Sequence, residues 1–267
     1  MIALSLGAVL ACAEDGNDRD LDIAEESGAL LIAGGGPHAG TIDERFLALQ
    51  RGEKKHVVVL STASPRAGDP NYGSSYFWRQ TPEGVIVDLL HTRSVNVAND
   101  PEFCSRLDGA TGVWIAGGNQ EYLEFLRGTL VHEKFKKILA SGGVIAGTSA
   151  GAAAMGDVMI RKGNPRPELG RGFGFIHPII DQHFTPRNRA PRLLTAMEGN
   201  PERPGVGIDE STAIVVRCTN AEVIGAGNVH FFPSHSSKLP SLVLSEGDTI
   251  DLQSGVVERK RDAAVTR

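Results

Sequence analysis

From residue 28 onward the chain alternates short runs of β-branched and other apolar residues with helical patterns, and few architectures accommodate that alternation. A strand covered on both faces reads as a continuous apolar run, and a parallel neighbour is reached only through a crossover, usually a helix. The runs over 29–33, 56–61, 84–89, 112–116, 143–146, 205–208 with 212–216, and 222–225 are read as strands. Helices are expected over 42–50, 74–80, 101–107, 120–128, 130–141, 150–155 and 191–198. The pattern predicts an α/β fold, a three-layer α/β/α sandwich around a mostly parallel central sheet. With 267 residues, 41% of them hydrophobic, the chain can fill a sizeable core. No repeat, low-complexity tract or Pro/Ser linker divides residues 28–267, which are expected to form one α/β domain.

The first 27 residues read differently. An apolar stretch over residues 1–11 ends in Val9-Leu10-Ala11-Cys12, which approximates a bacterial lipoprotein cleavage site and makes Cys12 a candidate lipid anchor. The stretch is short and holds no Lys or Arg, so it fits a truncated signal peptide. Residues 13–27 are acidic and polar and read as a disordered tether. Export or lipid anchoring is the favoured expectation, with a cytoplasmic location as the alternative. Cys12, Cys104 and Cys218 lie far apart with no histidine at metal-ligand spacing, so no disulfide framework and no metal site is indicated. A net charge of −5 without a long basic run offers no field to hold nucleic acid.

Ligands of open α/β sheets gather beyond the carboxyl ends of strands, so the loops after these runs hold the candidate chemistry. Three carry glycine: Gly34-Gly35-Gly36-Pro37-His38-Ala39-Gly40, Gly117-Gly118-Asn119-Gln120 and Gly147-Thr148-Ser149-Ala150-Gly151. The third has the G-x-S-x-G spacing of a nucleophile elbow, where flanking glycines tolerate the tight turn and the serine hydroxyl projects from it. The N–H groups at the start of the following helix are placed to receive an oxyanion. The first loop lacks a Walker lysine and the acid expected after a dinucleotide fingerprint. Its glycines are read as backbone that passes close to a neighbouring loop or substrate.

Two more segments supply partners for Ser149. Asp181-Gln182-His183-Phe184 follows the apolar run 175–180 and delivers a histidine to the end of an extended segment. Gly207-Ile208-Asp209-Glu210 places adjacent carboxylates between two apolar runs, where one can orient an imidazole base. The order Ser, His, acid departs from that of α/β-hydrolases, whose acid precedes the histidine. On that order His230 or His235 would pair with Asp209 or Glu210 instead.

Taken together, Gly-Gly-Asn-Gln (117–120), Gly-Thr-Ser-Ala-Gly-Ala (147–152), Asp-Gln-His-Phe (181–184) with Arg187, Arg189 and Arg192, and Gly-Ile-Asp-Glu (207–210) resemble the motifs of cyanophycinases. These enzymes belong to a serine peptidase family that also contains aspartyl dipeptidase. The resemblance covers about residues 29–230. It implies a fold like class I glutamine amidotransferases, with Ser149 as nucleophile, His183 as general base and Glu210 as the orienting acid. It also implies an oxyanion hole from the N–H groups of Gly118 and Ala150, and a substrate pocket lined by Gln120, Asp181, Gln182, Arg187, Arg189 and Arg192. Neither metal nor organic cofactor is implied. The partners it implies are cyanophycin or another aspartyl peptide and a second copy in a homodimer. The family pattern has aspartate where this chain has Asn119, which bears on the substrate accepted. An aspartyl dipeptidase or other acidic-peptide hydrolase, and a non-catalytic ligand-binding protein on the same fold, are the alternatives.

Overall fold

A computed structural model describes residues 28–37, 40–69, 81, 83–235 and 237–260. Residues 1–27 with Cys12, and the helix expected over 74–80, lie outside the described residues.

The central sheet has nine strands. Its parallel half runs β1 (Ala29–Ala33), β5 (Val144–Thr148), β4 (Gly112–Ile115), β2 (Lys55–Leu60) and β3 (Val85–Leu90). Beyond β1 it continues antiparallel through β10 (Thr212–Arg217), β11 (Asn220–Gly225), β14 (Thr249–Asp251) and β15 (Val257–Glu258). Strand β1 thus lies in the middle, paired in parallel with β5 and antiparallel with β10. That position explains its sequence, Ala-Leu-Leu-Ile-Ala, which is buried throughout.

Side chains alternate between two cores, as the period of a strand requires. Leu30, Ile32, Val58, Leu60, Val113, Ile115 and Ile145 face one core. They meet α3 (Pro101–Ser105) through Cys104 and α5 (Leu130–Ala140) through Val131 and Phe135. Leu31, Val57, Val59, Trp114 and Ala146 face the other. There α1 (Thr41–Leu49) supplies Ile42 and Phe46, and the Phe46 ring meets Trp114 edge-on at 5.3 Å between centroids. Helices therefore cover both faces of an α/β sheet.

A second sheet of four strands packs on the larger core. It comprises β8 (Ile179–Gln182), β9 (Gly205–Ile208), β12 (Val229–Phe232) and β13 (Leu242–Leu244), in the order β13-β12-β9-β8. Ile180, Val206, Ile208, Val229 and Phe231 from this sheet join that core. A separate hairpin, β6 (Val158–Lys162) with β7 (Glu168–Arg171), stands beside it.

The runs 205–208 and 212–216, adjacent in sequence, thus belong to different sheets, because the chain turns sharply at Asp209, Glu210 and Ser211, with Ser211 at φ 56. The helix expected over 120–128 shortens to α4 (Glu121–Glu124), with turns up to Gly128 at φ 75. The remaining short helices are α2 (Val95–Ala98) and α6 (Ala150–Ala153), and α7 (Ala190–Glu198) carries Pro near its start.

Candidate active site

Ser149 joins β5 to α6 at φ 51 and ψ −106, outside the regions that L-residues ordinarily occupy. Small neighbours make this turn possible. A Cβ on Gly147 would lie 2.5 Å from the backbone of Gly151, and one on Gly151 would lie 2.3 Å from the carbonyl oxygen of Ile115. Strain of this kind, concentrated at a hydroxyl, is a mark of a functional turn.

His183 follows β8 and also adopts a left-handed backbone, φ 48. Its Nε2 lies 2.8 Å from Ser149 Oγ, and its Nδ1 lies 2.6 Å from Glu210 Oε1. An ionised carboxylate only accepts, so Nδ1 carries the proton and donates to Glu210 while Nε2 accepts from the Ser149 hydroxyl. Burial pushes the His183 pKa below its ordinary value; the Glu210 hydrogen bond opposes this, and the charge of Arg187 reinforces it. The ring is held neutral with a free lone pair aimed at the serine, the state a general base requires.

The end of β1 holds these loops together. Ala33, Gly34 and Gly35 present their carbonyls to the N–H groups of Ser149 (3.0 Å), His183 (2.8 Å) and Ser211 (2.9 Å) in turn. A Cβ on Gly35, at φ 101, would come within 2.4 Å of the His183 ring, and one on Gly36 would come within 2.8 Å of Glu210 Cβ. The close approach expected of this loop is thus an approach to the His183 ring and to Glu210. The glycines are required both for conformation and for clearance.

The second glycine loop lies on the other side of the serine. A Cβ on Gly117 would stand 3.3 Å from Ser149 Cβ, and one on Gly118, at φ 140, would strike the Ala63 carbonyl oxygen at 2.0 Å. Ala150 follows the serine as the first residue of α6. The next residue of the loop, Asn119, caps α4 locally: its Oδ1 accepts from the Glu121 N–H and its Nδ2 donates to Glu121 Oε2.

The six residues that the resemblance assigns to a substrate pocket fall into two groups in the structure, a buried set and a pair nearer the surface. Asp181 is fully buried and takes a bidentate fork from Arg192, at 2.7 Å to Nε and 2.6 Å to Nη2. Arg192 also donates to the Gly163 carbonyl at 3.1 Å, and Gln182 is buried beside it. Gln120 is buried and donates to the Ile160 carbonyl at 2.9 Å. A buried carboxylate already satisfied by its own guanidinium is not free for a ligand. Arg189 is nearer the surface, bonded to the Gln182 carbonyl and 3.4 Å from Asp181, and burial lowers its pKa to about 10, still charged at neutral pH. Arg187 is exposed.

The alternative triad is not assembled. His230 turns to Thr185 Oγ1 at 3.1 Å and lies 3.7 Å from Asp209, while His235 is exposed. Sequence reasoning missed the work of Asp209. Its Oδ1 accepts from the Thr185 N–H at 2.8 Å, tying the turn after His183 to the turn that bears Glu210. The available signal was the paired Asp-Glu itself, one carboxylate for the imidazole and one for the backbone.

Residues 29–224 match the profile of peptidase family S51. A cyanophycinase of Synechococcus elongatus is 31% identical over 202 residues, 65% of this chain and 63% of that protein. The match to it therefore spans less than two thirds of the relative's length. A cyanophycinase of Geminocystis herdmanii is 32% identical over 217 residues, 75% of this chain and 79% of the relative. The crystal structure of a peptidase from an acI-B1 Actinobacterium superposes with a TM-score of 0.64 at 25% identity, covering 85% of this chain and 98% of that one. With the family profile matched from the first strand of the sheet to β11, this chain belongs to peptidase family S51.

Proposed function

We propose that this protein is a serine-type peptidase that cleaves aspartyl peptide bonds, with cyanophycin, multi-L-arginyl-poly-L-aspartate, as its substrate. The observation that carries the reading is the unbroken chain from Ser149 Oγ through His183 to Glu210, at 2.8 and 2.6 Å. In this mechanism the Ser149 oxygen attacks the aspartyl carbonyl while its proton passes to His183 Nε2. Glu210 stabilises the imidazolium so formed. The N–H groups of Gly118 and Ala150 receive the oxyanion of the tetrahedral intermediate. Collapse expels the amine with the proton from His183. Water, deprotonated by the same imidazole, then releases the acyl group and regenerates the serine.

Arg187 and Arg189 are the guanidiniums positioned to meet a substrate carboxylate, and the buried Asp181–Arg192 pair braces their loop. A second reading, hydrolysis of shorter aspartyl peptides, is favoured by Asn119, whose neutral amide is engaged with Glu121 where the family pattern has a charge.

The test is mass spectrometry of cyanophycin incubated with wild-type protein and, in parallel, with Ser149→Ala. Release of β-aspartyl-arginine by wild type alone supports class, nucleophile and substrate together. Release by both proteins would overturn the nucleophile, and release by neither would move the substrate to aspartyl dipeptides.

A further inference from the structure

The hairpin of β6 and β7 has no part in the scheme above, yet it is fastened to both walls of the site. On one side it holds the segment that follows Gly118. Gln120 donates to the Ile160 carbonyl at 2.9 Å, Arg161 pairs with Glu124 at 2.8 Å, and Lys162 pairs with Glu121 at 3.3 Å. On the other side its tip meets the arginine loop. The Gly163 carbonyl accepts from Arg192 Nη1 at 3.1 Å, and Asn164 Nδ2 donates to the Arg187 carbonyl at 3.4 Å.

The cations of this hairpin are not equivalent. Arg161 is neutralised by Glu124, and Lys162 lies 3.3 Å from each of Glu121 and Glu168. Arg171 pairs with Asp157. Arg166, at the exposed tip two residues beyond Asn164, has no acidic partner among the described residues, and neither has Arg187. Two guanidiniums without an acidic partner among the described residues therefore stand on adjoining loops, joined by the Asn164–Arg187 contact, and the charge of Arg187 reaches His183.

We infer that Arg166 is a specificity-determining residue that binds a second free carboxylate of the substrate, on the arginine branch of a further repeat beyond the one met by Arg187, so that the site favours an extended chain of aspartyl-arginine repeats over a single unit. The inference rests on the peptidase reading for its substrate class. Alternate side chains of an extended chain lie ~7 Å apart on one face, so successive anionic groups reach successive loops. A guanidinium suits the role, since its fork matches a carboxylate plane and keeps its charge at any physiological pH.

The experiment measures equilibrium binding to the full chain carrying Ser149→Ala, which removes turnover. The probes are synthetic oligomers of two and of four aspartyl-arginine repeats. The expected result is tighter binding of the tetramer. Arg166→Ala lowers tetramer affinity about fivefold and dimer affinity less than twofold, and Arg166→Lys restores part of the loss. Equal losses for both oligomers, an unchanged ratio, or no length preference in the parent would each overturn the inference. Turnover by the protein retaining Ser149 separates the two readings. Length-dependent binding that needs Arg166 but leads to no cleavage would sink the peptidase reading alone. Cleavage with no effect of Arg166→Ala on the length ratio would sink the inference alone.

Discussion

The two sheets contribute to the site in different ways. The central sheet supplies Ser149 from the end of β5, a strand buried throughout and flanked by β1 and β4. The smaller sheet supplies His183 and Glu210 from the ends of β8 and β9, its parallel pair. Ser149 is thus fixed by the rigid core of one layer and His183 by another. The distance between them depends on the seam where the sheets meet at Gly34, Gly35 and Gly36. Catalytic geometry of this design is set by inter-sheet packing as much as by the reacting residues.

Perturbations of each side should separate these contributions. Glu210→Gln keeps the shape of the acid but favours the other imidazole tautomer, and kcat should fall ~10^4-fold with the melting temperature little changed. A folded variant with near-normal turnover would show that the smaller sheet supplies no orienting acid. Gly35→Ala attacks the seam by pressing a methyl group into the His183 ring. It should cost ~10^2-fold or more in kcat, and steady-state kinetics on protein of native circular dichroism would test it. Unchanged kcat would mean that the seam yields without moving the base.

Phe46→Ala opens a cavity on the far face of the central sheet, against Trp114. It should destabilise the fold by about 3–5 kcal/mol in urea unfolding while the folded fraction keeps its kcat. A large drop in kcat would show that both cores act on the serine. The smallest effect concerns pH. The base must be neutral, and its folded pKa lies below the ordinary histidine value of about 6.5, so kcat/KM should fall on the acid side of that value. Arg187→Ala removes a positive charge that lowers the pKa, so the acid limb should move to higher pH. A limb that stays still or moves down would remove Arg187 from the field at His183.

Much of the central sheet is legible in the sequence, because strands buried on both faces are written as uninterrupted apolar runs. The shorter strands of the second sheet and of the hairpin are not. β7 reads Glu-Leu-Gly-Arg and is largely exposed, while β13 is three residues long, so neither carries a periodic signal. In the site, Ser149 is marked by its glycines and His183 by the apolar run before it. Asp209 and Glu210 are indistinguishable by composition, since only the turn at Ser211 decides which carboxylate faces the imidazole. Asp181 and Arg192 are the opposite case. Their types suggest a ligand site, yet strand and helix bring them together as an internal pair that no local pattern announces.

The dependence of all three loops on the end of β1 also has a meaning for biosynthesis. β1 is the first strand of the sheet to be made, and its partners β5 and β10 follow far downstream. The carbonyls that seat Ser149, His183 and Ser211 gain their donors one after another, past the ends of β5, β8 and β9 in turn. On the proposed mechanism such a chain stays inert through most of its own synthesis, because His183 and Glu210 are made after Ser149. Such non-local closure is slow to form, and here the delay keeps activity from preceding the fold.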